Sequence, residues 1–427
     1  MERHELIGSL GASGATMVAL ARAPRPPHEV FALRLFDHRY LEDPEFAERF
    51  FTWARRLAQL ELPGLAKLEG FGRTDRLHTM IYGFVHGANL TQIVLASMQR
   101  GGVSVRLLLH TAIETCHVLE AAAAWPGPDA RPLGAHGAAL AHGSIAPSNL
   151  MVGFDGDVHV TDLGLSMIIG WDRPVGSPPR SLAYVAPERL AGAPPSPSAD
   201  VFSLGATLWE CVLGRALFRG ASREELAEAI TKKPITPPSR VDARLAFLDA
   251  PLMGALERDP TRRFSGPREL RHALEAAAEQ RGGLPPRARI ATIMRTLFDD
   301  PAIRLHFNVD SAARSTLNPC DLFRGVEHQQ VGERRVSVLV DAGAVAPLHV
   351  PKRDLESESA APWSARPAPR TEVWTVPQPS TPPPEAAPAT LRDAPARALR
   401  RWTRALVVVA SVLLAMALAL TALRLAG

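Results

Sequence analysis

The first stretch whose residue types could do chemistry is the turn Gly11-Ala12-Ser13-Gly14-Ala15-Thr16-Met17-Val18. Glycines between two strands let backbone N–H groups close on phosphate oxygens. Gly11 and Gly14 suit a tight hairpin turn equally well, so both readings stand. Further along, His142-Gly143-Ser144-Ile145-Ala146-Pro147-Ser148-Asn149 gathers imidazole, hydroxyl and amide groups in one short run. Asp162-Leu163-Gly164 sets a carboxylate beside a glycine, and Ala186-Pro187-Glu188, Asp200-Val201-Phe202-Ser203-Leu204-Gly205 and Asp259-Pro260-Thr261-Arg262-Arg263-Phe264 follow in order. Cys116, Cys211 and Cys320 lie far apart with no CxxC and no Cys/His cluster. That spacing argues against zinc and against a disulfide frame, and it fits a reducing compartment.

The elements that must position these groups change in texture along the chain. The first part reads as short strands: Glu5-Leu6-Ile7 before the glycine turn, Met17-Val18-Ala19-Leu20 after it, Val30 to Leu35, and Met80 to Val85. Between them Glu45 to Leu60 is helical, with Phe46, Phe50, Trp53, Ala54, Leu57 and Ala58 at three- to four-residue spacing. From Val105 onward the pattern is mostly helical, over Leu107–Ala124, Ser203–Leu213, Arg223–Thr231 and Arg268–Glu279. A small strand-rich part followed by a larger helical part implies two lobes. Residues 281–345 are ambiguous; Arg289–Phe298 reads as one helix and Arg335–Val340 as one strand.

The bulk numbers bound the rest. The chain has 427 residues, of which 46% are hydrophobic and 22% charged, enough apolar content to bury a sizeable core. The net charge of +4 is small for this length, so the basic balance gives no argument for a nucleic-acid partner. The opening MERHELIGSL lacks the apolar core of a signal peptide.

Taken in order, the segments resemble the eukaryotic-like serine/threonine protein kinases of bacteria, over roughly residues 5–278. The resemblance implies an α+β, bilobal protein-kinase-like fold: a strand-rich N-lobe over 1–85 and a larger helical C-lobe over 86–280. It also implies ATP and magnesium as cofactors. Cofactor-binding positions would be Gly11, Ser13, Gly14, Val18, Ala32, Arg34, Asn149 and Asp162, with Asn149 and Asp162 as the metal ligands. By the same resemblance Glu188 would pair with Arg263, and Asp200 would brace the backbone of the catalytic loop.

The departures from that pattern fall on the chemical positions. Phosphoryl transfer depends on positioning and charge neutralisation. Ser13 and Thr16 replace the second and third glycines of the phosphate loop. Arg34, in Phe31-Ala32-Leu33-Arg34, replaces the strand lysine, and a planar fork does not substitute for a compact ammonium. In register with Leu60-Glu61-Leu62-Pro63, the helix position that should carry a glutamate is Trp53, read here as core packing, so Arg34 needs another acceptor. Ser144 stands at the proton-acceptor position, and a serine hydroxyl is a poor base near neutral pH. Ala146 stands at the catalytic-loop lysine position. Gly143 stands at the arginine that would meet a phosphorylated activation segment. Ser166, Ser177 and Ser181 lie in that segment and need no phosphorylation to explain them. Trp125 to Leu140 lengthens the link into the catalytic loop by about a dozen residues, which reads as a surface insertion.

The C-terminal part reads differently. Residues 346–398 hold 12 of the 38 prolines and form a Pro-rich linker, an extended tether. Ala405 to Leu423 is an uncharged run of 19 residues, long enough as a helix to cross a hydrocarbon core of ~30 Å. With its flanks it defines a single transmembrane helix over 403–425. Arg397, Arg400, Arg401 and Arg404 precede it, which places the N-terminal bulk on the cytoplasmic side of an inner membrane. The sequence therefore leads us to expect a membrane-anchored pseudokinase that signals by binding protein partners, with at most weak nucleotide binding. The alternative is a divergent active serine/threonine kinase.

Overall fold

A computed structural model describes residues 5–13, 16–22, 30–36, 40, 43–73, 77–127, 139–169, 182–298, 326–331 and 334–340, all within one compact unit, Met1–Thr371. The glycine at position 14, the insertion over 128–138, Ser177 and Ser181, the Pro-rich linker and the expected span lie outside these residues. Among the described residues no helix is long and apolar enough to cross a membrane.

Five strands build the small lobe: β1 (Glu5–Ser13), β2 (Thr16–Arg22), β3 (Val30–Phe36), β4 (Leu68–Arg73) and β5 (His78–Gly83). They pair antiparallel in the order β1-β2-β3-β5-β4. Side chains alternate across a strand, so one face of this sheet carries Ala19, Ala21, Leu33, Leu35, Leu77 and Ile81, all buried in a single cluster. The opposite face carries Val18, Ala32, Arg34, Met80 and Tyr82, which are joined by the registers Val18↔Arg34, Ala32↔Tyr82 and Arg34↔Met80. The structure differs from the sequence reading at Gly11. Strand β1 continues past Ile7 through two irregularities, and Gly11 pairs with Val18. Pairing runs up to Ser13↔Thr16, so Gly11 belongs to the strand rather than to the turn.

Helix α1 (Pro44–Leu57) packs under this sheet. Asp43 caps it by accepting from the Glu45 and Phe46 N–H groups, with proline at the first turn and Arg55 and Arg56 in the last. Its apolar stripe buries Phe46, Phe50, Trp53, Ala54 and Leu57 against Phe36, Leu68, Phe71 and Met80.

The helical lobe contains α2 (Leu90–Met98), α3 (Val105–Ala124), the short α4 (Leu165–Ile169) and α5 (Pro187–Leu190), then α6 (Pro197–Leu213), α7 (Arg223–Lys232), α8 (Asp249–Ala255), α9 (Pro267–Glu279) and α10 (Arg287–Leu297). Helix α6 is buried continuously from Ala199 to Cys211 and is the central element of the lobe. Ser196 caps it through the Ala199 N–H, and Gly214, at φ +62°, ends it. A three-stranded sheet of β6 (Gly87–Asn89), β7 (Leu150–Gly153) and β8 (Val158–Val160) carries the catalytic loop before it and Asp162 after it. Helix α10 lies beyond the boundary expected at residue 280. It buries Ile290 and Met294 in the same core, and Phe298 meets Phe154 edge-on with ring centroids 5.9 Å apart. The last two strands, β9 (Val326–Val331) and β10 (Arg334–Val340), extend the small-lobe sheet, with β10 parallel to β4 through Ser337↔Gly70 to Val340↔Arg73.

Candidate functional site

The catalytic loop is fixed first by its backbone. Asp200, in the first turn of α6 and 2% exposed, accepts from the N–H groups of His142 at 2.6 Å and Gly143 at 2.8 Å. Burial pushes its carboxyl up to about 7, while the two N–H donors pull the other way. The His142 ring places Nε2 2.8 Å from the Thr161 carbonyl. A carbonyl only accepts, so Nε2 carries the proton and Nδ1 is left as an acceptor. The Ser144 N–H and hydroxyl, at 3.3 and 3.2 Å, both donate to that Nδ1. Burial lowers the His142 pKa and keeps the ring neutral. Ser144, at the expected proton-acceptor position, therefore points its hydroxyl proton into its own loop.

Gly143 has φ +74°, and a Cβ there would stand 2.2 Å from Ser166 Oγ and 3.2 Å from Pro195. The place where the pattern has an arginine is thus filled by a hydroxyl and a proline ring, and the backbone there favours glycine. Ala146 has no polar side-chain atom, and its backbone is extended. Asn149 Nδ2 donates to the Ser144 carbonyl at 2.8 Å, and its Oδ1 accepts from the Ser148 hydroxyl at 3.0 Å. The Thr161 N–H donates to the Asn149 carbonyl at 2.9 Å, which ties the loop to the strand leading into Asp162.

Asp162 is 5% exposed and has φ +64°, the one left-handed non-glycine among the described residues. Arg34, reaching from β3, ion-pairs with Asp162 Oδ2 through Nη2. Its Nη1 donates to Thr16 Oγ1 at 2.8 Å. Arg34 Nε is buried with no hydrogen-bond partner. The acceptors that Arg34 needs are therefore Asp162 and Thr16. Val18 and Ala32 share the sheet face of Arg34, across from Asp162. Tyr82, on the same face, has its phenol pKa raised by burial and by the Asp162 charge, against an opposing pull from Arg34. A cavity of about 20 Å³ behind it is lined by Leu57, Leu60, Leu68, Tyr82, Asp162 and Leu163 among others.

The fit to magnesium can be tested on this geometry. Magnesium takes a near-octahedral set of oxygens and reaches proteins through one or two carboxylates. Here the Asp162 carboxylate already faces a protein cation, and the Asn149 amide oxygen already accepts from Ser148. Among the described residues Asp162 Oδ1 has no protein partner and the Asn149 amide oxygen keeps a second lone pair, but an ion held there would share its one carboxylate with the Arg34 charge, which makes the fit a poor one.

The supporting positions match the sequence reading. Glu188 and Arg263 form a two-pronged pair at 2.7 and 2.9 Å. Arg263 also donates to the Glu257, Arg258 and Ser198 carbonyls, and its guanidinium lies 5.2 Å from the Phe202 ring. Trp53 is buried within the α1 core, with the Arg56 guanidinium 5.7 Å from its ring. Sequence reasoning missed three participants: Thr16 as an acceptor, Tyr82 beside Asp162, and the His142 ring as the anchor of Ser144. The available signal was the unpaired charge of Arg34, which required an oxygen close by.

Comparison with known proteins agrees with this architecture. Residues 134–274 match the family described as protein kinase domain. The chain is 26% identical over 276 residues to a probable serine/threonine-protein kinase of Clostridium perfringens, covering 64% of this chain and 38% of that one. It is 30% identical over 278 residues to the serine/threonine-protein kinase PknJ of Mycobacterium tuberculosis, covering 63% and 44%. The chain thus spans less than half the length of these curated relatives. The crystal structure of the Mycobacterium tuberculosis PknI kinase domain superposes with a TM-score of 0.50 at 23% identity, covering 65% of this chain and 96% of that one. That likeness shows the fold: the described residues have a protein-kinase-like fold, with a strand-rich small lobe and a helical lobe. Residues 134–274 thus resemble a protein kinase domain, and the relatives named are serine/threonine-protein kinases.

Proposed function

We propose that this protein is a membrane-anchored pseudokinase that acts in signalling by binding protein partners, with at most weak affinity for nucleotide. The observation that carries the reading is the catalytic loop. Its proton-acceptor position is Ser144, a hydroxyl that donates to His142 Nδ1 and has none of a carboxylate's basicity near neutral pH. In protein kinases a catalytic-loop carboxylate supplies this step, and loss of general-base help typically costs about 10²–10⁴-fold. Ala146 adds the loss of a cation for the transferring phosphate, and Trp53 removes the carboxylate that would orient a strand lysine. The fold-holding contacts, Asp200 to the loop and Glu188 to Arg263, are complete. What such a chain offers a partner is a rigid kinase surface.

The alternative is a divergent active serine/threonine kinase. It is favoured by Asn149 and Asp162, which keep the residue types of the two metal positions. The deciding measurement is incorporation of labelled γ-phosphate from ATP by the full chain in detergent micelles, beside an Asp162→Ala variant. The pseudokinase reading expects no transfer above the variant's background. Transfer that Asp162→Ala abolishes would overturn it.

A further inference from the structure

Arg34 is held from both ends of its guanidinium. Nη1 donates to Thr16 Oγ1 at the first residue of β2, and Nη2 pairs with Asp162 after β8. The two charged side chains are 12% and 6% exposed. The missing partner explains the arrangement. A glutamate on α1 would draw a strand cation away from Asp162, but that position is Trp53, turned into the aromatic core. With no carboxylate at the Trp53 position of α1, the guanidinium pairs with Asp162.

We propose that Arg34 is the resident cation of the cleft, occupying the electrostatic place of a divalent ion on Asp162 and closing the site to metal-bound nucleotide. The inference rests on the pseudokinase reading and supplies its physical cause. A divalent ion on Asp162 Oδ2 would displace the guanidinium and leave Arg34 a buried charge without its counter-charge, which is strongly unfavourable, and an ion on Oδ1 would stand beside a like charge. Asn149 does not compensate, because its amide is neutral and adds no counter-charge, and its oxygen already accepts from the Ser148 hydroxyl. The orphaned Arg34 Nε shows that the side chain is not fully satisfied. The two Nη contacts hold it in place against that cost.

The test is direct binding of Mn²⁺, with and without ATP, to the full chain in micelles, for the wild type and Arg34→Gln. Glutamine keeps an N–H donor for Asp162 or Thr16 and removes the charge. The wild type should bind ATP no better with Mn²⁺ than with chelator, and Arg34→Gln should gain Mn²⁺ affinity by at least about tenfold, since the freed carboxylate is a hard oxygen ligand. An added Asp162→Asn should abolish the gain. Should Arg34→Gln fail to fold, Arg34→Met, with a chain of similar length, carries the same expectation. Metal-dependent ATP binding by the wild type overturns the inference, as does a folded Arg34 variant with no gain. The two readings fail separately: wild-type ATP binding that needs Mn²⁺ but leads to no γ-phosphate transfer sinks the resident cation and leaves the pseudokinase standing, whereas transfer that Asp162→Ala abolishes sinks the pseudokinase.

Discussion

His78 sits in the middle of the small lobe with no partner for either ring nitrogen. Phe46, Phe50 and Phe51 surround it with ring centroids at 5.1, 4.8 and 6.0 Å. Burial, and then the nearby Arg73 charge, lower its pKa to about 4. In the unfolded chain the group titrates near 6.5, so below that pH the unfolded state takes up the proton first. Stability is therefore complete above about 6.5 and is lost as pH falls towards 4. The full effect is on the order of 3 kcal/mol. Replacing the imidazole with another ring in the same nest, His78→Phe, should remove this part of the acid sensitivity. Thermal unfolding at a series of pH values between 7.5 and 5 checks it: the wild type should lose more stability than the variant, and parallel curves would defeat the argument. At this scale the sequence was only partly legible. Ser144, Ala146, Gly143 and Trp53 could be picked out by the resemblance to the kinase pattern. The His142–Ser144 hydrogen bond could not, because it depends on a tautomer set by Thr161, a residue with no motif of its own.

At the scale of elements, legibility followed local signals. Helix α1 was visible because six apolar residues repeat at helical spacing, and α6, α7 and α9 were visible in the mostly helical pattern from Val105 onward. Strand β10 could be read as a strand, but its pairing with β4 joins positions more than 260 residues apart, and no local pattern encodes that. The end of the helical lobe was missed for a related reason. Helix α10 follows the turn Gly282-Gly283-Leu284-Pro285-Pro286, which reads as a boundary, yet the helix returns to the core. Arg287 pairs with Asp155 at 3.1 Å and Asp157 at 2.7 Å, while Ile290 is fully buried. If α10 is part of the lobe, Ile290→Ala should cost about 2–4 kcal/mol, the usual range for emptying a core site. Denaturant unfolding of the full chain measures this. A change below about 0.5 kcal/mol, the size expected of a surface position, would return the boundary to residue 280.

For the whole molecule, the proposed role joins a kinase fold whose chemical positions are occupied by its own side chains to a chain that continues through a Pro-rich stretch into an uncharged run at Ala405 to Leu423. A scaffold raises the local concentration of its partners only where it is held, so anchoring is what gives a catalytically silent fold an effect. Each residue of that run is apolar or small, with Arg404 and Trp402 just before it, and a helix uniformly apolar around its circumference has no face for water. The proposal predicts that the full chain stays with the membrane pellet through alkaline carbonate extraction, whereas a chain lacking residues 405–423 is released. It also predicts sidedness. Protease added outside intact spheroplasts should leave an N-terminal epitope uncut, and the same protease should remove it after lysis, because the Arg397, Arg400, Arg401 and Arg404 flank favours the cytoplasmic side. Release of the full chain by carbonate would break the link between location and function, and a pseudokinase acting in solution would need a different way to gather its partners.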